Sequence, residues 1–267
     1  MTVRTVCRCA LFASLLATAG CTPWRRAPAL PTRNSVVLDQ LWVYSDFYLP
    51  QRHRLLDELN AQRATLSKKL ALPTSDEPVF VYLFSTAEQF RSFVNKNYPE
   101  FPTRRAFFVE SDTRLMVYAY WGDRVAEDLR HEVAHGYLHS VVPSIPLWLD
   151  EGLAEYFEVP HGHQGLNRPH IQELAQAKAK GWEPNLRRLE DLISASAMTQ
   201  LDYAEAWAWV HFLLETTPER QQLLQTYLQS LQQEGVPEPL STKLRRLHLD
   251  YERKLVDYLA WLQGLPK

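Results

Sequence analysis

The stretch HEVAHGYLHSVVPSIPLWLDEGLAEYFE, residues 131 to 158, limits what this chain can become more than any other. It sets three His and five acidic residues among Val, Ala, Leu, Trp and Phe, in what otherwise reads as core helix. Burying an unpaired charge is costly, so these groups need a metal ion, an ion-pair network, or water on an exposed face. His131 and His135 are four apart, which on a helix turns the second side chain about 40° from the first and lifts it about 6 Å. Both imidazoles can then reach one ion. Glu132, about 100° round the same helix, can reach a water at that ion without being a ligand. Two neutral nitrogen donors and a carboxylate placed to take a proton from water make up the chemical logic of H-E-x-x-H on a zinc helix. The alternative is a helix with two surface His beside a Glu. Leu129, Val133 and Leu138 argue against it, since they make one side of the helix core-facing.

Catalytic zinc generally takes three protein ligands and leaves one position open. PLWLDEGLAEYFE offers the third. Pro146 would start a helix after the turn VVPSIP, and this second helix could fold back beside the first. Glu151 then lies in its first turns and Glu155 one turn further on the same face. A solvated acidic stripe is the competing reading, but Trp148, Leu149, Leu153, Tyr156 and Phe157 leave little purely polar face. Glu151 is therefore the preferred ligand, with Glu155 as the acceptor that fixes a His ring through its other N–H.

H-E-x-x-H followed shortly by W-L-D-E-G-L-A-E-Y-F-E resembles the gluzincin metallopeptidases, the thermolysin and aminopeptidase N group. In pattern it is most like their small peptidase MA-like bacterial relatives. The resemblance covers residues 120–158 closely and 201–215 more loosely. It implies a zincin-like fold, bound Zn²⁺, hydrolysis of a peptide or protein substrate, and Glu151 as third ligand with Glu155 orienting the first His. The gap from His135 to Glu151 is shorter than in aminopeptidase N or thermolysin. If the turn cannot bring Glu151 to the ion, Glu155 becomes the ligand instead. In LDYAEAWAWVHFLLE, Tyr203 stands where the aminopeptidase N group carries a Tyr whose hydroxyl stabilises the oxyanion. Such an oxyanion needs a donor opposite the metal, although a Tyr packed at a helix start is the plainer reading. His211 is the runner-up donor, or a core histidine beside Trp207 and Leu214. Nothing like the exopeptidase G-A-M-E-N segment is present, which leaves the substrate open. His139 is one turn too far for the same ion, HGHQG (161–165) reads as a cleft rim, and KLRRLH (243–248) as a charged helix face.

The rest of the chain sets the frame for this site. With 46% hydrophobic residues in 267, it can bury a full core. Its 29 basic and 31 acidic residues are spread without a basic tract, which argues against nucleic acid as partner. Arg4 and Arg8 precede the apolar run CALFASLLATAG, too short to span a bilayer and long enough for a signal peptide. It ends in TAGC, which resembles the lipobox of bacterial lipoproteins, with Cys21 as the lipidated first residue and Thr18 where that motif usually has Leu. A lipid-anchored protein of the bacterial envelope, on the periplasmic side of the outer membrane, is expected; plain secretion is the alternative. The mature chain would keep only Cys21, so no internal disulfide can form. Residues 1–20 are thus a signal peptide and 21–37 a tether, followed by an α/β subdomain over 38–141 and a helical subdomain over 142–267.

The fold class is α+β. Residues 41–49 and 79–84 read as strands, the second apolar on both faces and hence central. Residues 51–70 read as a helix stopped by Pro73, and the helix after Phe84 as capped by Ser85 and Glu88. Residues 105–110 and 114–120 form a hairpin around a short turn. Helices are expected over 123–141, 147–158, 169–180, 203–216, 218–233 and 242–263. This gives a small mixed sheet with helices, then a mainly helical half, with the metal helix at their junction. Two functions compete. One is a zinc metallopeptidase that uses Glu132 as general base, aided by Tyr203. The other is an inactive envelope lipoprotein that keeps the scaffold for protein binding.

Overall fold

The computed structural model describes residues 29–233, 235 and 237–265, so Cys21 and the signal stretch lie outside the described residues. Five strands form one mixed sheet: β1 (Asn34–Leu38), β2 (Leu41–Ser45), β3 (Val79–Phe84), β4 (Ala106–Ser111) and β5 (Arg114–Tyr120), in the order β1-β2-β3-β5-β4. The two outer pairs are antiparallel, and β3 runs parallel to both β2 and β5. VFVYLF is the central strand, as its two apolar faces require. Val79, Val81 and Leu83 join Leu115, Val117 and Ala119 on one face. Tyr82, Phe84 and Tyr118 cover the other face with Phe90, Phe93 and Val94 of α2 (Ala87–Asn97). That split follows from the two-residue period of a strand. β4 is an outer strand, so the hairpin leaves one backbone edge unpaired within the sheet.

On the first face lie α1 (Arg54–Leu70) and α3 (Val125–His139). A Cβ on Gly136 would stand 2.6 Å from Val79 Cγ1, so glycine is what lets α3 lie this close to β3. The helical half follows: α4 (Leu147–Phe157), α5 (Arg168–Ala179), α6 (Leu186–Glu190), α7 (Gln200–Glu215), α8 (Pro218–Gln232), α9 (Leu240–Leu247) and α10 (Tyr251–Gln263). α7 is buried on all sides from Asp202 to Leu214, as an apolar helix with no polar face must be. Thr199 and Asp202 cap its start reciprocally. One hydrophobic core runs from the sheet through α1, α3, α4 and α7 to α10.

Several sequence expectations are corrected. The tether ends sooner than residue 37, because Asn34–Leu38 pairs with β2 as an outer strand. The second strand stops at Ser45, not at 49. The cap of α2 is Thr86, which accepts from Gln89 N, and not Ser85 with Glu88; Ser85 is engaged by Asp46 through both its N–H (2.9 Å) and its hydroxyl (3.2 Å). The helix expected over 242–263 is two, α9 and α10, since α9 packs on α8 while α10 packs on α5 and α7. α6 was not foreseen: five residues that bury Leu186 and Leu189 are too short to show a helical period.

Candidate metal centre

α3 and α4 pack against each other, joined by a turn that contains Pro143. Gln62 of α1 ties their far ends, donating to the carbonyls of Arg130 (2.8 Å) and Phe157 (3.3 Å). The close approach of α4 to α7 depends on Gly152, where a Cβ would lie 2.6 Å from Ala206 O. Held in this way, the first turns of α4 point at the middle of α3.

His131, His135 and Glu151 meet there. His131 Nε2 lies 3.3 Å from His135 Nε2, and Glu151 Oε2 lies 3.5 Å and 3.7 Å from those two nitrogens. Donors bound at tetrahedral zinc distances sit about 3.4 Å apart. A circle through these three atoms has a radius of about 2.0 Å, which is itself a zinc–ligand distance. Glu151 Oε2 is buried and accepts no hydrogen bond among the described residues. An orphaned buried carboxylate oxygen facing two imidazole nitrogens suits a cation between them.

Each remaining ring nitrogen faces a carboxylate, as in metal-bound His, hydrogen-bonded at His131 and in ion-pair contact only at His135. His131 Nδ1 is 3.1 Å from Glu158 Oε2, and His135 Nδ1 is 2.9 Å from Asp150 Oδ1. Here the expectation for Glu155 is corrected. Its Oε2 pairs with His170 Nε2 at 2.7 Å, because α5 brings His170 over that turn of α4, and Glu158 takes the place beside His131. Between Glu151 and Glu155 as third ligand, the packing brings Glu151 to the His pair. Two further groupings that could hold a metal share a His with the trio, His135 with His139 and Asp150, and His131 with Glu155 and Glu158, but their other members are engaged elsewhere. His139 with Asp150 (3.0 Å) and Glu110 (2.7 Å), and His170 with Glu155, stand at hydrogen-bond distances, shorter than the spacing of two donors on one ion.

Residues 125–236 match the family model of a protein of unknown function, DUF1570. No curated protein matches the chain. The DUF1570 match spans α3 to α8, and so takes in His131, Glu132, His135, Glu151 and Tyr203, but not the sheet.

Electrostatics follow from the crowding of carboxylates. Burial pushes the Glu132 carboxyl above its usual range, against the pull of His131, His135 and Arg104. Burial works against the imidazolium form at His131 and His135, yet the carboxylates beside them outweigh it and raise both. A divalent cation between the two rings would compensate the same carboxylates.

Tyr203, at the start of α7, is buried, and its hydroxyl accepts from Arg104 Nη2 at 3.1 Å. Burial and the nearby Glu151 raise its pKa, against Arg104, so it keeps its proton as a donor. Arg104, just before β4, also feels Glu151 and Glu132. It was not singled out in the sequence, and neither were Asp150 and Glu158. Only the D-E pair and the i, i+7 spacing of Glu151 and Glu158 could have pointed to the latter two. His211 is not at the site: its Nδ1 is 2.9 Å from Tyr258 Oη, deep in the helical half.

Two cavities flank the trio. The larger, about 930 Å³, is lined by His131, Glu132 and Arg104 with Glu158 and His163, the latter from the HGHQG loop. The smaller, about 310 Å³, is lined by Glu132, His135, Glu151 and Arg104 with Phe101 and Phe108. Glu132 and Arg104 belong to both, so the two cavities meet at the candidate general base.

Proposed function

We propose that the chain is a zinc-dependent metallopeptidase of gluzincin type, anchored to the bacterial cell envelope by lipid on Cys21. The observation that carries this reading is the trio of donor atoms spaced 3.3–3.7 Å apart, with Glu132 beside it and open space on either side. His131, His135 and Glu151 would hold the ion. When bound, it supplies Lewis acidity, polarising a carbonyl oxygen and making a water more acidic. Glu158 and Asp150 keep the two rings in the tautomer that presents Nε2. Glu132, buried and raised above the usual carboxylate range, accepts the proton of the attacking water and returns it to the leaving amine. Tyr203, still protonated, and the Arg104 guanidinium on its hydroxyl provide donors for the developing oxyanion. The unpaired edge of β4 can align an extended peptide as an added strand. The two cavities would then receive the residues on either side of the bond that is cut. No helix among the described residues is long and apolar enough to cross a membrane.

The test is Glu132→Gln. It should retain zinc and lose about 10²–10⁴-fold in chelator-sensitive hydrolysis of a mixed peptide library. Full activity in that variant would refute the assigned mechanism. A zinc-loaded wild type that cleaves nothing would favour the binding lipoprotein.

A further inference from the structure

His139 has no part in the mechanism above, yet it is one of the most tightly engaged side chains in the molecule. Its Nδ1 is 2.7 Å from Glu110 Oε2 on β4, and its Nε2 is 3.0 Å from Asp150 Oδ2 on α4. Phe108, also on β4, lies against the ring with centroids 5.1 Å apart. Ionised carboxylates only accept hydrogen bonds. A ring with a carboxylate on each nitrogen must therefore carry both protons, as an imidazolium. The other oxygen of Asp150, Oδ1, stands 2.9 Å from His135 Nδ1, an ion-pair contact without hydrogen-bond alignment. A single carboxylate thus stands between two imidazoles, one on each oxygen.

Resting on the metallopeptidase reading, we propose that His139 is a positioning residue: clamped by Glu110, it pins Asp150 so that Asp150 keeps its place against His135 in the orientation the metal needs. The chain Glu110–His139–Asp150–His135 joins the outer strand β4, through α3 and α4, to one metal ligand. Without His139, Asp150 keeps one partner instead of two. It can then rotate away from His135, whose ring loses its anchor.

The experiment measures Zn²⁺ affinity of the full chain by competition with a chromogenic chelator, together with the visible absorption spectrum of the Co²⁺-loaded protein. Asp150→Asn should weaken zinc binding by about 10–100-fold, the usual cost of losing a carboxylate behind a His ligand. His139→Gln should weaken it by about 10-fold and shift the Co²⁺ spectrum in the same direction. The double variant should be no weaker than Asp150→Asn alone, within about twofold, because His139 acts through Asp150. Glu110→Gln, on the more exposed outer residue, should give a smaller loss of the same kind and serves if His139→Gln folds poorly. The melting temperature of the chelator-treated variants reports folding separately. If the wild type binds zinc tightly and His139→Gln leaves both affinity and spectrum unchanged, the proposal is overturned while the metal centre stands. Losses that simply multiply in the double variant overturn it as well. A wild type that binds no zinc overturns the metal centre itself, and this role with it.

Discussion

Gly152 offers the sharpest test of how the helical packing serves the site. A methyl group there would stand 2.6 Å from Ala206 O, 2.8 Å from Ala206 C and 2.9 Å from Val210 Cγ2. Ordinary contact begins at 3.4 Å, so Gly152→Ala must part α4 from α7 by about 0.8 Å. The nearest atoms are backbone atoms of a buried helix, and no rotamer change can relieve them. Overpacking of this kind costs about 2 kcal/mol, which lowers the melting temperature of a chain this size by about 4–8 °C. The second consequence is local. Glu151 precedes the glycine, and its Oε2 must keep its place in a triangle with edges of 3.3–3.7 Å. A displacement near 1 Å is enough to cost about 10²-fold where geometry is decisive. Thermal melts in excess chelator and zinc titration by chelator competition separate the two effects. The variant should melt lower and also bind zinc at least about tenfold more weakly. An alanine variant that melts with the wild type and binds zinc equally well would refute the argument that this close approach sets the position of Glu151.

Two further perturbations probe the helical half. Burial keeps His211 neutral by holding its pKa down at about 4, below the ordinary value near 6.5. Unfolding therefore takes up a proton between those values, so the stability owed to the neutral ring is complete above pH 6.5 and is lost as pH falls towards 4. That loss amounts to about 3 kcal/mol. In urea unfolding followed across this range, His211→Asn should show a correspondingly flatter fall, and an unchanged slope would count against the buried neutral ring. Glu205 is fully buried and accepts from Asn185 N (2.6 Å), Arg188 Nη2 (3.0 Å) and the indoles of Trp182 and Trp209 (both 3.3 Å). Glu205→Ala should cost about 3 kcal/mol by orphaning those donors; a loss under 1 kcal/mol in the same unfolding assay would mean that water replaces the carboxylate.

The sequence alone determined what depends on short range. His131, Glu132 and His135 lie within a little more than one helical turn, so any helix there brings both rings to one side, whatever packs against it. The central place of β3 and the hairpin of β4 and β5 also follow from local patterning, because a two-residue period assigns faces before any partner is known. Tertiary structure decided which carboxylate does what. Asp150, Glu151 and Glu155 lie on adjoining faces of α4 and Glu158 caps its end, and their spacing cannot choose among them. The choice came from α5, which places His170 against Glu155 and leaves Glu158 for His131. Arg104 and Glu110 entered from the sheet edge, and Tyr203 from a helix some 70 residues downstream. Such pairings depend on how whole elements dock, and docking is set by the shared core in which Gly136 and Gly152 permit contact. A periodic pattern tells a side chain which way to face; it carries no information about what will be there to meet it.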